Sequence, residues 1–152
     1  MSYVPKNARF EKEVKDGAVT YAKLDSNGKT RIYQMRNSVQ EATAATTFDK
    51  SFCRIKEGGT ITAVYYIPDT SFGQATNFSA LNVMNKGLSG SGSTVVSLKN
   101  YNASVPAFVA GSFAISNPTV AAGEVLSLYK NIAGTGQLVP PGDLIMAVER
   151  TA

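Results

Sequence analysis

The fold class is decided by the stretch Thr60-Ile-Thr-Ala-Val-Tyr-Tyr-Ile67, which ends at Pro68-Asp69. β-branched and aromatic residues dominate it, and proline and aspartate follow as turn residues, a pattern that predicts a β-strand. Tyr65 and Tyr66 are neighbours on this strand, so their side chains point to opposite faces of a sheet. We therefore expect one of them in a core and the other at the surface or in an interface.

Similar runs follow toward the C-terminus, separated by Gly, Pro and Asn turns, and we expect strands at 78–84, 94–101, 108–115, 124–129 and 144–149. Gly87–Ser93 has the composition of a linker, but its position between two strands favours a flexible hairpin loop. Its Gly-x-x-Gly-x-Gly pattern lacks the strand-to-helix context of a nucleotide-binding loop. Short strands with turns of this kind predict an all-β protein, an antiparallel jelly roll or β-sandwich.

Toward the N-terminus, Val19–Leu24 and Thr30–Met35 also alternate, with Asn27-Gly28 between them. Asn-Gly favours a type I′ turn, because both central positions of that turn need a positive φ. We therefore predict a β-hairpin there. It is poor in apolar residues and would be marginal alone, so it is expected to pack on the body or on a neighbouring subunit. Residues 36–50 are interpreted as a connector, in which Ser38 is able to cap a short helix.

The charges are divided unevenly along the chain. Residues 1–57 contain 11 basic and 7 acidic side chains, whereas residues 58–152 contain 4 of each. This predicts two regions, a charged N-terminal extended arm with its hairpin at 1–57 and a β-body at 58–152. The basic residues of the arm are interleaved with acids that would repel phosphate, so nucleic acid is not an expected partner. No apolar run is long enough to span a membrane, and no secretory signal is recognised, so synthesis in a cytoplasm is expected.

The residue types disfavour catalysis. The sequence has no His, which removes the commonest general base and metal ligand together with the Ser-His-Asp and Cys-His arrangements. A two-carboxylate glycosidase would have to use the acids of the body, which stand in turns or at strand ends, where backbone capping or solvation is usual: Asp69, Glu124, Asp143 and Glu149. The lone Cys53 lies in an alternating stretch and is expected to be a small core residue. We expect no enzyme, no cofactor and no metal.

Three stretches of the body resemble jelly-roll structural proteins of tailed bacteriophages, above all the capsid cement, or decoration, proteins. They are Gly59–Asp69, Asn77–Gly87 and Val120–Leu144, the last of which contains Ala-Gly-Glu-Val-Leu, Gly-Thr-Gly and Pro-Pro-Gly. The resemblance covers about 59–150, and similar phrases occur in phage tail and head-fibre β-domains. It implies a non-enzymatic protein on the outside of a DNA-filled head, often trimeric, which clamps neighbouring major capsid subunits. The family has no catalytic residues to carry over.

The expected function is therefore that of a cement protein on the outer surface of the virion capsid, a homotrimer that binds the major capsid protein and no small-molecule substrate. The expected partner-binding residues combine basic charge with aromatic side chains: Lys6, Arg9, Phe10, Lys12, Lys15, Arg31, Tyr33 and Arg36. The arm either docks on an acidic surface or is a solvated tail. The alternatives are a tail or head-fibre module that binds a host-surface glycan and, from another class, a small β-sandwich hydrolase. Because the chain has no Trp, we expect Tyr101 and Tyr129 to pack in an interface or rim and not to bind sugar.

Overall fold

The computed structural model describes residues 26–38, 41 and 43–151. A single helical turn, α1 (Ser26–Lys29), precedes ten β-strands. The strands are β1 (Thr30–Asn37), β2 (Phe48–Arg54), β3 (Gly59–Pro68), β4 (Ser79–Asn85), β5 (Thr94–Asn100), β6 (Gly111–Ser112), β7 (Ala114–Ile115), β8 (Thr119–Val120), β9 (Val125–Ile132) and β10 (Gly142–Arg150).

The strands form two antiparallel sheets of five strands each. Sheet A has the order β1-β10-β3-β6. Strand β8 lies on the same side of β3 as β6, but β8 pairs with the start of β3 and β6 with its later part. Sheet B has the order β2-β9-β4-β5-β7. The two sheets pack face to face, which confirms the predicted all-β sandwich. The finer jelly-roll assignment stays a prediction.

The core lies between the sheets and follows from alternation along each long strand. On β10, Leu144, Met146 and Val148 are fully buried, whereas the residues between them are partly exposed. From sheet B, Leu126 and Leu128 of β9 join the same cluster of buried side chains. Each such side chain contributes roughly 1.5–3 kcal/mol relative to an exposed position. Burial on one face and exposure on the other is the arrangement expected of antiparallel sheets.

Aromatic rings fill one end of the sandwich. Phe72 stacks on Tyr101 with a centroid distance of 4.0 Å and meets Tyr66 edge to face at 6.4 Å. The hydroxyl of Tyr66 donates to the carbonyl of Pro140 at 2.6 Å, and burial raises the pKa of this phenol to about 12. Tyr66 is fully buried and Tyr65 is exposed, as the sequence predicted. The prediction that Tyr101 packs in an interface or rim is wrong, because this residue is completely buried in the cluster.

The structure also changes the account of the N-terminal region. The predicted strand from Thr30 exists as β1, but it pairs along its whole length with β10, and β2 pairs with β9. The type I′ turn is wrong, since Ser26–Lys29 form a helical turn. The predicted first strand of the hairpin, at 19–24, lies outside the described residues. Strands β1 and β2, which fall in the region assigned to an arm, therefore belong to the sheets, and Tyr33 and Phe48 pack against the core.

Local signals misplaced some short strands. The single strand predicted at 108–115 is two pieces, β6 in sheet A and β7 in sheet B. Between them, Phe113 is buried and its amide donates to the carbonyl of Val64 at 2.9 Å, so the chain crosses from one sheet to the other at this residue. The two-residue strand β8 was not predicted. Gly87–Ser93 does connect β4 to β5 as a hairpin loop, as expected.

Candidate interaction surface

The outer face of sheet A presents side chains of β1, β10 and β3 in rows that run across the strands. The two central rows are Ile32–Ala147–Ala63 and Gln34–Ile145–Tyr65. Directly opposed residues of an antiparallel pair have Cβ atoms about 4.5–5.5 Å apart, so these side chains form one continuous surface. The opposite faces of the same strands are buried in the core, which fixes the orientation of the rows.

The two central rows are apolar except for Gln34 of β1, and the charged side chains of this face lie at its ends. We call Ile32, Ala63, Tyr65, Ile145 and Ala147 the sheet A patch; Ile32 is 59% exposed and Tyr65 is 36% exposed. The rows on either side are Thr30–Glu149–Thr60 and Arg36–Asp143–Ile67. An apolar centre with a polar rim is the usual anatomy of a protein–protein interface. Sequence reasoning missed Ile32, although the period-two pattern of β1 would have placed it opposite Tyr33.

Arg36 organises one end of the patch. Its Nη1 donates to Asp69 Oδ1 at 2.9 Å and to Asp143 Oδ2 at 3.3 Å, and its Nη2 pairs with Asp69 Oδ2. Hydrogen bonding to Asp69 is the largest cause that raises the pKa of Arg36. Asp69 and Asp143 were expected to cap their own turns; strand pairing instead brings both to Arg36. Because exposed ion pairs contribute only about 0–1 kcal/mol, the cluster matters more as a polar rim than for stability.

Arg31 and Tyr33 lie on the other face of β1 from Arg36. Arg31 Nη2 pairs with Glu57 Oε1 at 3.0 Å, and the Tyr33 hydroxyl accepts a hydrogen bond from the backbone N–H of Lys56 at 3.1 Å. Glu57 also binds Arg150 at 2.7 Å, and this hydrogen bond is the first cause that lowers the pKa of Glu57. Among the predicted partner-binding residues that the structure describes, Arg36 alone therefore borders the sheet A patch.

The remaining predicted partner-binding residues lie outside the described residues: Lys6, Arg9, Phe10, Lys12 and Lys15. The proposed role of these side chains stays a prediction.

A second exposed apolar element lies in the loop that leads into β6. Phe108 is 76% exposed and has a φ of 60°, a left-handed conformation that a bulky residue rarely adopts. Its amide donates to the carbonyl of Pro68 at 2.8 Å, which holds the loop against the end of β3. Such strain costs of order 1–3 kcal/mol and concentrates at functional segments. The neighbouring Val109 is 48% exposed, so two apolar side chains project at this edge of sheet A.

Among the groups weighed for chemistry, Glu124 and Cys53 have structural contacts and Glu149 is exposed. Glu124 accepts hydrogen bonds from Asn85 Nδ2 at 2.7 Å and from the amide of Ala121 at 2.8 Å, so it caps its turn and is not simply solvated. Glu149 is exposed on β10, as expected for a strand end. Cys53 packs against the core as predicted, and burial raises the pKa of its thiol to about 12. A thiol with this pKa is a poor nucleophile at neutral pH.

Within residues 26–38, 41 and 43–151, no group of three or more His, Cys, Asp or Glu side chains is arranged to hold a metal ion. None of the helical structure in that part of the chain is long and apolar enough to cross a membrane. Comparisons with protein-family models, curated proteins and solved structures found no significant match.

Proposed function

We propose that this chain is a structural virion protein, a cement protein that binds the outer surface of a tailed-phage head as a homotrimer and reinforces contacts between major capsid subunits. The observation that carries the proposal is the sheet A patch, an exposed apolar surface with a polar rim on a rigid sheet. The resemblance of residues 59–150 to phage cement proteins supplies the identity of the partner.

The patch suits a strong contact because its backbone is already ordered by strand pairing. Its central strand, β10, pairs with β1 on one side and β3 on the other, so little backbone order has to be gained on binding. Tyr65 lies on β3 beside Ile145 of the central strand, and tyrosine is enriched among the residues that dominate interface energies. Burying Ile32 and Tyr65 against a partner would remove two of the most exposed apolar side chains of this face from water.

The charged residues around the patch help to select a partner. The Arg36–Asp69–Asp143 cluster presents both signs of charge, and charges at the rim of an interface mainly affect orientation and association rate. The basic N-terminal residues are proposed to add contacts with an acidic capsid exterior. Such contacts weaken with added salt, whereas the apolar patch keeps its affinity, so the two contributions can be measured separately.

The proposal is tested on virus particles purified from cells that produce this chain. Quantitative mass spectrometry is expected to find it in many copies per particle, and cryo-electron microscopy is expected to place it outside the capsid shell. A few copies located on a tail or fibre would instead support the glycan-binding alternative. Absence of the chain from purified particles would refute both.

Variants locate the contact surface. Ile32→Arg places a charge in the sheet A patch, whereas Leu88→Arg makes the same change at a leucine that is 71% exposed in the β4–β5 loop. We expect I32R to weaken particle binding by at least about tenfold, which corresponds to about 1.4 kcal/mol, and L88R to bind like the wild type. Equal binding by both variants would exclude the patch as the capsid contact.

A further inference from the structure

The loop before β6 carries the most exposed large apolar side chain among the described residues. This is Phe108, which is 76% exposed, and the neighbouring Val109 is 48% exposed. The backbone of Phe108 is left-handed, with a φ of 60°, so the fold holds an aromatic ring in solvent in a strained conformation. A binding contact made by the ring would explain this arrangement, since such strain concentrates at functional segments.

The loop is fixed in place, so the ring of Phe108 projects from a defined position. The amide of Ala107 donates to Ser71 Oγ at 3.1 Å. Upstream, Phe72 and Val105 exchange backbone hydrogen bonds at 3.1 and 2.8 Å. A projecting side chain on an ordered loop requires little further ordering of the backbone when it binds.

A cleft of about 560 Å³ opens at the same end of the sandwich, between the loop after β3 and the loop before β10. Ser71 and Phe72, which hold the Phe108 loop, also line this cleft, and Leu138 and Pro140 line it from the other loop. Leu138 is 49% exposed. The volume lies within the range of sites that bury whole small molecules, so the cleft is large enough for a phenylalanine side chain.

Neither surface carries a charge that opposes burial. Residues 100–123, which contain the Phe108 loop, include no Asp, Glu, Lys or Arg. Among the described residues that line the cleft, only Glu41 is charged, and its side chain is 2% exposed and paired with the buried Lys130. An apolar ring that enters the cleft therefore leaves no charge without compensation. The projecting loop and the cleft match each other in shape and in polarity.

The area that such a contact buries is that of a central anchor. An aromatic side chain buries about 150–250 Å², and Phe108 exposes 76% of its surface, so its insertion would remove roughly 110–190 Å² from water. If the cleft loses a similar area, the contact supplies about a seventh to a quarter of the roughly 1,600 Å² of a standard interface. A few anchors of this kind carry most of the energy of an interface, and the surfaces around them exclude water.

We propose that Phe108 of one copy of this chain inserts into the cleft of a second copy, beside Leu138, and that this contact holds the homotrimer together. The contact is head-to-tail, because the ring and the cleft are different surfaces of one subunit, and head-to-tail contacts form closed rings when the rotation between copies closes. Both surfaces lie at one end of the sandwich, so a three-fold axis close to that end brings each ring to the next cleft. The inference rests on the homotrimer of the proposed function and leaves the sheet A patch available to the capsid.

The test is sedimentation velocity of the full chain over a concentration series, with the same substitution at three exposed apolar side chains. Phe108→Arg removes the projecting ring, Leu138→Arg blocks the cleft, and Leu88→Arg is the matched control in the β4–β5 loop, where the leucine is 71% exposed. The wild type and L88R are expected to sediment as trimers. F108R and L138R should need at least about tenfold higher concentrations to associate.

A further variant and a mixture separate loss of the contact from loss of the fold. Phe108→Gly removes the ring and also relieves the left-handed backbone, so it should fold well and still fail to form trimers. A mixture of F108R and L138R tests the head-to-tail geometry, because F108R keeps its cleft and L138R keeps its ring. One productive contact then forms, and dimers should appear at concentrations at which each protein alone is monomeric.

Weakened association of F108G, together with dimers in the mixture, supports the proposal. It is overturned by a wild type that is monomeric at every concentration, by an F108G protein that associates like the wild type, or by folded F108R and L138R proteins that stay monomeric when mixed. Particle attachment is measured separately. A monomer that still binds particles contradicts this inference alone, whereas trimers that depend on Phe108 in a chain absent from particles contradict the cement function alone.

Discussion

Replacing Lys130 with methionine should destabilise the protein far more than the loss of an ordinary surface lysine. Lys130 and Glu41 have side chains that are 0% and 2% exposed, and their charged atoms are 2.6 Å apart. Removing one partner of a buried pair leaves the other charge without compensation, which costs about 3–5 kcal/mol. For a chain of this length, each kcal/mol lowers Tm by roughly 2–4 °C, so the expected fall is about 6–20 °C.

The assay is urea unfolding at neutral pH, analysed by linear extrapolation, with two companion variants. In Lys130→Met/Glu41→Leu both charges are removed, and apolar replacement of a whole pair is often neutral or stabilising by about 1–4 kcal/mol. The amide of Val139 then loses its acceptor, at a cost of about 1–3 kcal/mol. The double variant should therefore unfold within about 3 kcal/mol of the wild type and be more stable than K130M.

Lys86→Met is the matched control, because Lys86 also pairs with a carboxylate, Asp49, but both side chains remain partly exposed. Its expected cost is about 0–1 kcal/mol. The reasoning would be refuted if K130M lost less than about 1 kcal/mol, or if the double variant were no more stable than K130M.

Three further predictions concern reactivity, pH and assembly. Cys53 should react with a disulfide reagent at pH 8 only after unfolding, because burial raises its pKa to about 12; rapid reaction of the native protein would show that the thiol is accessible. Carboxyl NMR should give Glu57 a pKa below its ordinary 4.5, so its stabilising effect is complete above that value and is lost as pH falls through the folded-state pKa; an unchanged pKa in Arg150→Leu would contradict the assigned cause. Sedimentation should detect a trimer in solution or reconstruction should detect one on the particle, and isolated copies in both would exclude the homotrimer.

The alternation of apolar and polar residues predicted the long strands, because one face of each long strand is buried and the other is exposed. Thr60–Ile67 and Leu144–Glu149 fall within β3 and β10, whose inward and outward faces differ sharply. The short strands β6, β7 and β8 were not predictable in this way. Two residues carry too little pattern, and their pairing depends on where β3 and β5 already lie. The turn at Asn27-Gly28 shows the same limit, since tertiary context overrides a local turn preference.

The candidate surface was harder to predict because pairing across the sheet creates it. Residues 1–25 contain five basic and four acidic side chains, whereas residues 26–57 contain six and three. Most of the positive excess assigned to an arm therefore belongs to a region whose described strands lie in the sheets. Lys130 shares the inward face of β9 with Leu128 and pairs with Glu41, which is 89 positions away in sequence. A pattern among neighbouring residues cannot indicate a contact between residues so far apart in the sequence.

The sheet A patch gains its rigidity from the core behind it. β10 contributes Leu144, Met146 and Val148 to the interior and Ile145 and Ala147 to the patch, so the outer surface cannot rearrange without disturbing the core. Strands of this kind open only when the whole domain unfolds, whereas loops open at much lower cost. Under the proposed function, a protein that reinforces a capsid must keep its contact surface intact while the contact is under load. A patch on a central core strand meets that requirement better than an exposed loop such as 87–93, which explains why a charge at Ile32 should weaken attachment and the same charge at Leu88 should not.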